Sequence, residues 1–115
     1  MPDTALYSQA AILDTWVDHD WTNGIQLGNL PDFSEISVQT ENTLYEITVI
    51  DGNAREVVVR GGRFFTTKTA ARLAGSSLRG SFLKVGGIYV GFSMEILAGG
   101  MSIVTTPVQN IRVYS

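Results

Sequence analysis

The chain contains no cysteine, a single histidine, and no lysine or arginine before residue 55. Without cysteine there is no disulfide framework and no thiolate chemistry, so the disulfide-dense class of small secreted domains is ruled out. The one histidine, His19, sits in Asp18-His19-Asp20. Neighbouring residues in a helix do not face one another, and zinc sites built without cysteine or several histidines are uncommon, so neither an acid–base pair nor a metal site is assigned. No apolar run approaches the roughly 20 residues of a membrane span, and the opening residues lack a basic stretch followed by an apolar core. The expectation is a soluble, cytoplasmic protein with no membrane partner. A P-loop, a Gly-x-Ser-x-Gly elbow and a cofactor loop are also missing, so no cofactor is expected and no catalytic residue is named.

What is present is a chain of 115 residues, 44% hydrophobic and 17% charged, with a net charge of −3. That is a composition for one globular domain over residues 1–115, long enough to bury its own core. Its centre is the stretch from Leu44 to Phe65. Tyr45, Ile47 and Val49 alternate on one face, Asp51-Gly52 supplies a turn, and Val57-Val58-Val59 returns, which reads as a β-hairpin with positive φ at the glycine.

In chain order, Leu6, Ala10, Leu13 and Val17 recur at spacings of three and four with Trp16 beside them, which predicts a helix within residues 1–21. Trp16 and Trp21 are the candidate interface residues, docking on the chain's own sheet or on a partner. Turn residues cluster over 22–33, a loop pinned to the core by Ile25, Leu27 and Leu30. Residues 34–115 then read as strands. Glu35–Thr40 is one, with Ile36 and Val38 inward. Phe64 and Phe65 point to opposite faces, so one is buried. Thr66–Thr69 opens a helical turn through Ala70–Ala74, stopped by Gly75. Ile88 to Ile96 is a single strand whose even-numbered face is core, with Gly91 a bend and Ser93 on the polar side. Ala98-Gly99-Gly100 turns into Met101–Thr106, Pro107 ends that pairing, and Val108–Tyr114 is a separate last strand. The fold expected is mainly β: an N-terminal helix followed by a small antiparallel β-barrel or strongly curled sheet of six to seven strands, with a two-sheet sandwich as the alternative.

The stretches Thr43-Leu44-Tyr45-Glu46-Ile47, Val59-Arg60-Gly61-Gly62-Arg63-Phe64-Phe65, Leu73-Ala74-Gly75-Ser76-Ser77 and Lys84-Val85-Gly86-Gly87-Ile88-Tyr89-Val90-Gly91 resemble a group of small uncharacterised bacterial β-rich proteins. The resemblance covers roughly residues 43–113. It implies a bacterial cytoplasmic setting and transfers no activity or site.

Charge is distributed unevenly along the chain. Asp3, Asp14, Asp18, Asp20, Asp32, Glu35, Glu41 and Glu46 occupy the first 50 residues, and Arg55, Arg60, Arg63, Lys68, Arg72, Arg79 and Lys84 follow. Either the acidic part neutralises the basic part, within one chain or between subunits, or the basic segment binds an anion. For the second case the candidate residues are Arg60, Arg63, Arg72 and Arg79 with the hydroxyls of Ser76 and Ser77 in the Gly75–Ser81 loop, acting as a backbone nest. Three functions follow. The leading one is a non-enzymatic binding or assembly module, a homodimer or a binder of a protein partner. The second is a barrel that binds nucleic acid or a small anion. The third is an enzyme using His19 or Ser76/Ser77.

Overall fold

The computed structural model describes residues 21–78 and 80–114. Strand β1 (Gly24–Gln26) and a 3-10 turn (Leu27–Asn29) precede β2 (Glu35–Thr40), β3 (Leu44–Asp51), β4 (Glu56–Gly61) and β5 (Phe65–Leu78). Then come β6 (Ser81–Val85), β7 (Gly87–Tyr89), β8 (Ser93–Ala98) and β9 (Met101–Tyr114). The larger sheet runs β4-β3-β2-β9-β8-β5-β6, and β4 pairs also with β5. All pairings are antiparallel, so six strands close a ring of hydrogen bonds and β6 is carried outside it on β5. β1 and β7 form a separate two-stranded sheet. No α-helix occurs among the described residues. The predicted helix falls almost wholly on residues 1–20, outside them, as do Trp16 and His19.

The ring closes because its two long strands each change partners along their length. β5 pairs with β4 over Phe65–Arg72 and with β8 over Arg72–Ser77, with a register shift between Leu73 and Gly75. This overturns the helical turn expected at Ala70–Ala74. Thr66, Thr67 and Thr69 favour extended backbone, and the ladder to β4, taken over by the ladder to β8 at Arg72, outweighs the helical preference of Ala70, Ala71 and Ala74. Gly75 is no helix cap: at φ 150°, a β-carbon there would lie 2.1 Å from the Lys84 carbonyl oxygen. β9 behaves alike, pairing with β8 up to Pro107 and with β2 from Val108 onward. Pro107 therefore does not end the strand. It occupies the handover, next to a bulge, where the missing N–H costs little. A sheet that must curl into a ring needs such bulges.

The ring's interior is the inward face of each strand. Ile36 and Val38, Tyr45, Ile47 and Val49, Val57 and Val59, Phe65 and Leu73, Met94 and Ile96, and Ile103 and Val108 are all buried. Leu27 from the 3-10 turn and Ile88 from the smaller sheet join the same core, with Ile25 and Leu30 packed against it. Each fully buried aliphatic side chain contributes about 1.5–3 kcal/mol.

Two local expectations change. The predicted strand Ile88–Ile96 is broken: Gly91, at φ 94°, lies in a turn between β7 and β8. The Phe92 N–H donates to the Tyr89 carbonyl and the Gly91 N–H to that of Val108. In consequence Ser93 is buried rather than on a polar outer face. At the β3–β4 turn the positive φ belongs to Arg55 (61°), not to Gly52. Asp51 Oδ1 accepts from the Asn53 and Ala54 N–H groups, and the Arg55 N–H donates to the Gly52 carbonyl. Gly52 is needed for space, since a β-carbon there would lie 2.2 Å from the Leu27 carbonyl oxygen. Gly52→Ala is expected to cost about 2 kcal/mol or more by lifting the 3-10 turn that seats Leu27, while Asn53→Ala changes stability by less than about 0.5 kcal/mol. Urea melts of the two variants check this order.

Candidate functional site

Of the six residues of the expected anion site five are described, and these five do not come together at one place. Arg60 points outward from β4 and its Nε donates to Glu46 Oε1 at 2.8 Å, with Nη2 on the same oxygen. Both side chains are half exposed, so the pair contributes at most about 1 kcal/mol, yet it neutralises the guanidinium locally. Arg72 lies across from Glu56 on β4, four residues along that strand from Arg60, about 13 Å away. Arg79 lies outside the described residues.

Ser76 and Ser77 are fully buried on β5 instead of lining an open loop. Ser76 Oγ donates to the Gly87 carbonyl and accepts from the Tyr89 N–H, both at 3.0 Å. Ser77 Oγ accepts from the Gly80 N–H at 3.0 Å. Their hydroxyls stitch β5 to β7 and to the β5–β6 turn, which leaves no nest for an anion and no exposed nucleophile.

Trp21 packs on its own chain. Its ring meets Tyr89 edge-on and Phe92 at a tilt, with centroids 4.9 Å apart in both cases, and Lys84 Nζ stands 5.0 Å above it. A cation over an indole is held electrostatically by the ring's negative face. Lys84 is thus drawn to this side of β6.

Among the described members of the expected set, Arg63 stands at a cleft whose lining contains no carboxylate. It follows Gly61 and Gly62 in the β4–β5 turn, with φ values of 143° and 66° at the two glycines. A β-carbon on Gly61 would lie 2.5 Å from the Leu44 carbonyl oxygen, and one on Gly62 would lie 3.1 Å from Thr43 Cγ2. The glycine pair thereby lets this turn close against the β2–β3 turn at the mouth of the ring. Between them and β9 lies a cleft of about 280 Å³ lined by Asn42, Tyr45, Arg63, Phe64, Ile103 and a row of threonines. Phe64 is 56% exposed, whereas Phe65, one residue on, is 1% exposed and fills the core beneath.

Most hydroxyls of the cleft are already engaged. Thr40 Oγ1 donates to the Thr43 carbonyl, Thr105 Oγ1 donates to the Thr106 carbonyl while accepting from the Met94 N–H, and Thr106 Oγ1 accepts from the Glu41 N–H. Burial pushes the Tyr45 phenol up, with its Thr43 hydrogen bond acting the other way, so it remains a neutral hydroxyl. No carboxylate lines this cleft. By contrast, the groove on the outer face of β2, β3 and β4 combines Arg60 and Lys68 with Glu35 and Glu46 and is balanced in charge. The sequence signal for the cleft was the glycine pair directly before Arg63-Phe64. What the sequence did not show was that the turn at Glu41–Thr43 closes over it.

Among the described residues no group of three or more histidine or carboxylate side chains is placed to hold a metal ion, and no helix is long and apolar enough to cross a membrane. No family model, curated protein or solved structure matches the chain.

Proposed function

We propose that the protein is a non-enzymatic assembly module, a small closed β-barrel that pairs with a second copy of itself through the free edge of β6. The observation that carries this reading is the state of that edge. Among the described residues β6 pairs with β5 alone. The Gly86 N–H donates to the Ala74 carbonyl, and the register places Gly75 opposite Val85 and Ser77 opposite Leu83. Alternation along an antiparallel ladder then turns the N–H and C=O groups of Leu83 and Val85 away from β5.

The side chains of the same two residues are 43% and 53% exposed. An edge of this kind is a template for another strand unless it is guarded, most often by lysine. Here the only lysine of β6, Lys84, alternates to the opposite face and lies over Trp21. Two β6 strands brought together antiparallel about a twofold axis satisfy each other's backbone groups and cover both pairs of apolar side chains, and an isologous contact closes at two copies.

The contact is made by backbone groups and apolar side chains, not by the charge contrast along the chain. Light scattering is therefore expected to show a dimer at micromolar concentration in both low salt and about 0.5 M salt. Leu83→Lys is expected to give a folded monomer whose melting, unlike that of the wild type, does not depend on protein concentration. A wild-type monomer in both salt conditions removes the reading.

A further inference from the structure

We propose that the cleft at the mouth of the ring is a seat for a small organic anion, with Arg63 holding carboxylate or phosphate oxygens and Phe64 covering an apolar body. This site is independent of the β6 edge. Among the described residues Arg63 makes no ion pair, in contrast to Arg60, and the cleft it faces contains no carboxylate. Its planar guanidinium is free to bind two oxygens at once, the geometry in which arginine recognises carboxylate and phosphate most strongly.

The rest of the cleft limits what the anion is attached to. Thr40 and Thr105 donate their hydroxyl protons to backbone carbonyls, whereas Thr106 Oγ1 only accepts, so Arg63, the Asn42 amide and the Thr106 O–H are the main donors left for a ligand. They stand beside the exposed ring of Phe64 and the side chain of Ile103. A sugar needs more hydrogen-bond partners than this wall offers, whereas an oxyanion on a short apolar or aromatic body matches it. The volume, about 280 Å³, is at the lower end for small-molecule sites. A nucleic-acid backbone needs a track of cations, and among the described residues none leads from the cleft: Arg60 is held by Glu46, and Arg72 lies farther along β5 opposite Glu56.

Backbone-amide NMR titrations with phenyl phosphate, benzoate and the neutral benzyl alcohol test the proposal. Both anions are expected to shift the resonances of Asn42, Arg63 and Phe64 at millimolar concentration, and benzyl alcohol to leave them in place. The stronger of the two anions identifies the preferred head group. Arg63→Ala is expected to weaken binding by at least about tenfold, with Arg63→Lys retaining part of it. Arg63 is exposed in a turn, so the variants fold as the wild type does, which their unperturbed spectra verify. Absence of shifts with either anion, or binding undiminished in Arg63→Ala, overturns the proposal. So does single-stranded RNA shifting Arg60, Lys68 and Arg72 while both small anions leave the cleft untouched.

Discussion

Phe65→Ala is expected to lower the unfolding free energy by about 3–5 kcal/mol, and Phe64→Ala by less than about 0.5 kcal/mol. The two rings are adjacent in sequence and differ only in the face they take. Phe65 begins β5, pairs with Gly61 across the turn and fills the ring below Arg63. Truncation there removes a fully buried aromatic and leaves a void that a closed ring of six hydrogen-bonded strands fills only in part. A domain of this size has a total stability of about 5–15 kcal/mol, so the loss takes a large share of it. Phe64 faces the cleft and gives up only exposed surface. Chemical denaturation of the two variants decides the matter: equal losses would mean that Phe64 is also packed, and the cleft described at the mouth of the ring would not exist.

The contrast between these two phenylalanines was legible in the sequence as an alternation, though not which of the two was inward. The same holds for much of the ring. Ile36 and Val38, the set Tyr45, Ile47 and Val49, and the Gly99-Gly100 turn (φ 57° and 79°) follow from period-two patterning and turn chemistry alone. The misreadings cluster where the chain serves two neighbours at once. Ala70–Ala74 carries a helix-compatible composition, yet it is the part of β5 that passes from β4 to β8, and pairing partners distant in sequence settle its conformation. Pro107 looked like a stop because proline ends regular pairing, but at a handover between β8 and β2 its missing N–H has no ladder position to vacate. Gly52, Gly61 and Gly75 were legible as glycines and not in their purpose, which is the close approach of another segment's carbonyl, that of Leu27, Leu44 or Lys84. No periodicity announces such an approach. Which of the two alternatives held for each arginine was not legible for a related reason: spacing along β4 and β5 says nothing of which carboxylate stands on the next strand, and Glu46 meets Arg60 by register.

Ser76→Ala is expected to cost about 2–4 kcal/mol, far more than a serine in a glycine–serine stretch suggests. The Ser76 hydroxyl is the only bridge described between β5 and β7 that both donates and accepts, giving to the Gly87 carbonyl and taking from the Tyr89 N–H. All three residues are buried, so water cannot replace the hydroxyl when it is removed. A buried donor and a buried acceptor are then left without partners, at about 1–3 kcal/mol for each such group. The damage spreads, because β7 holds Ile88 in the core and Tyr89 under Trp21. Ser81→Ala, at an exposed position of β6, is the control and is expected to be silent. Hydrogen exchange at the Tyr89 amide reads the mechanism directly. In Ser76→Ala that proton is expected to exchange faster than the loss of global stability accounts for, since its own acceptor has gone. A stability change below about 0.5 kcal/mol, with Tyr89 as protected as in the wild type, would show that the hydroxyl is not what joins these two strands.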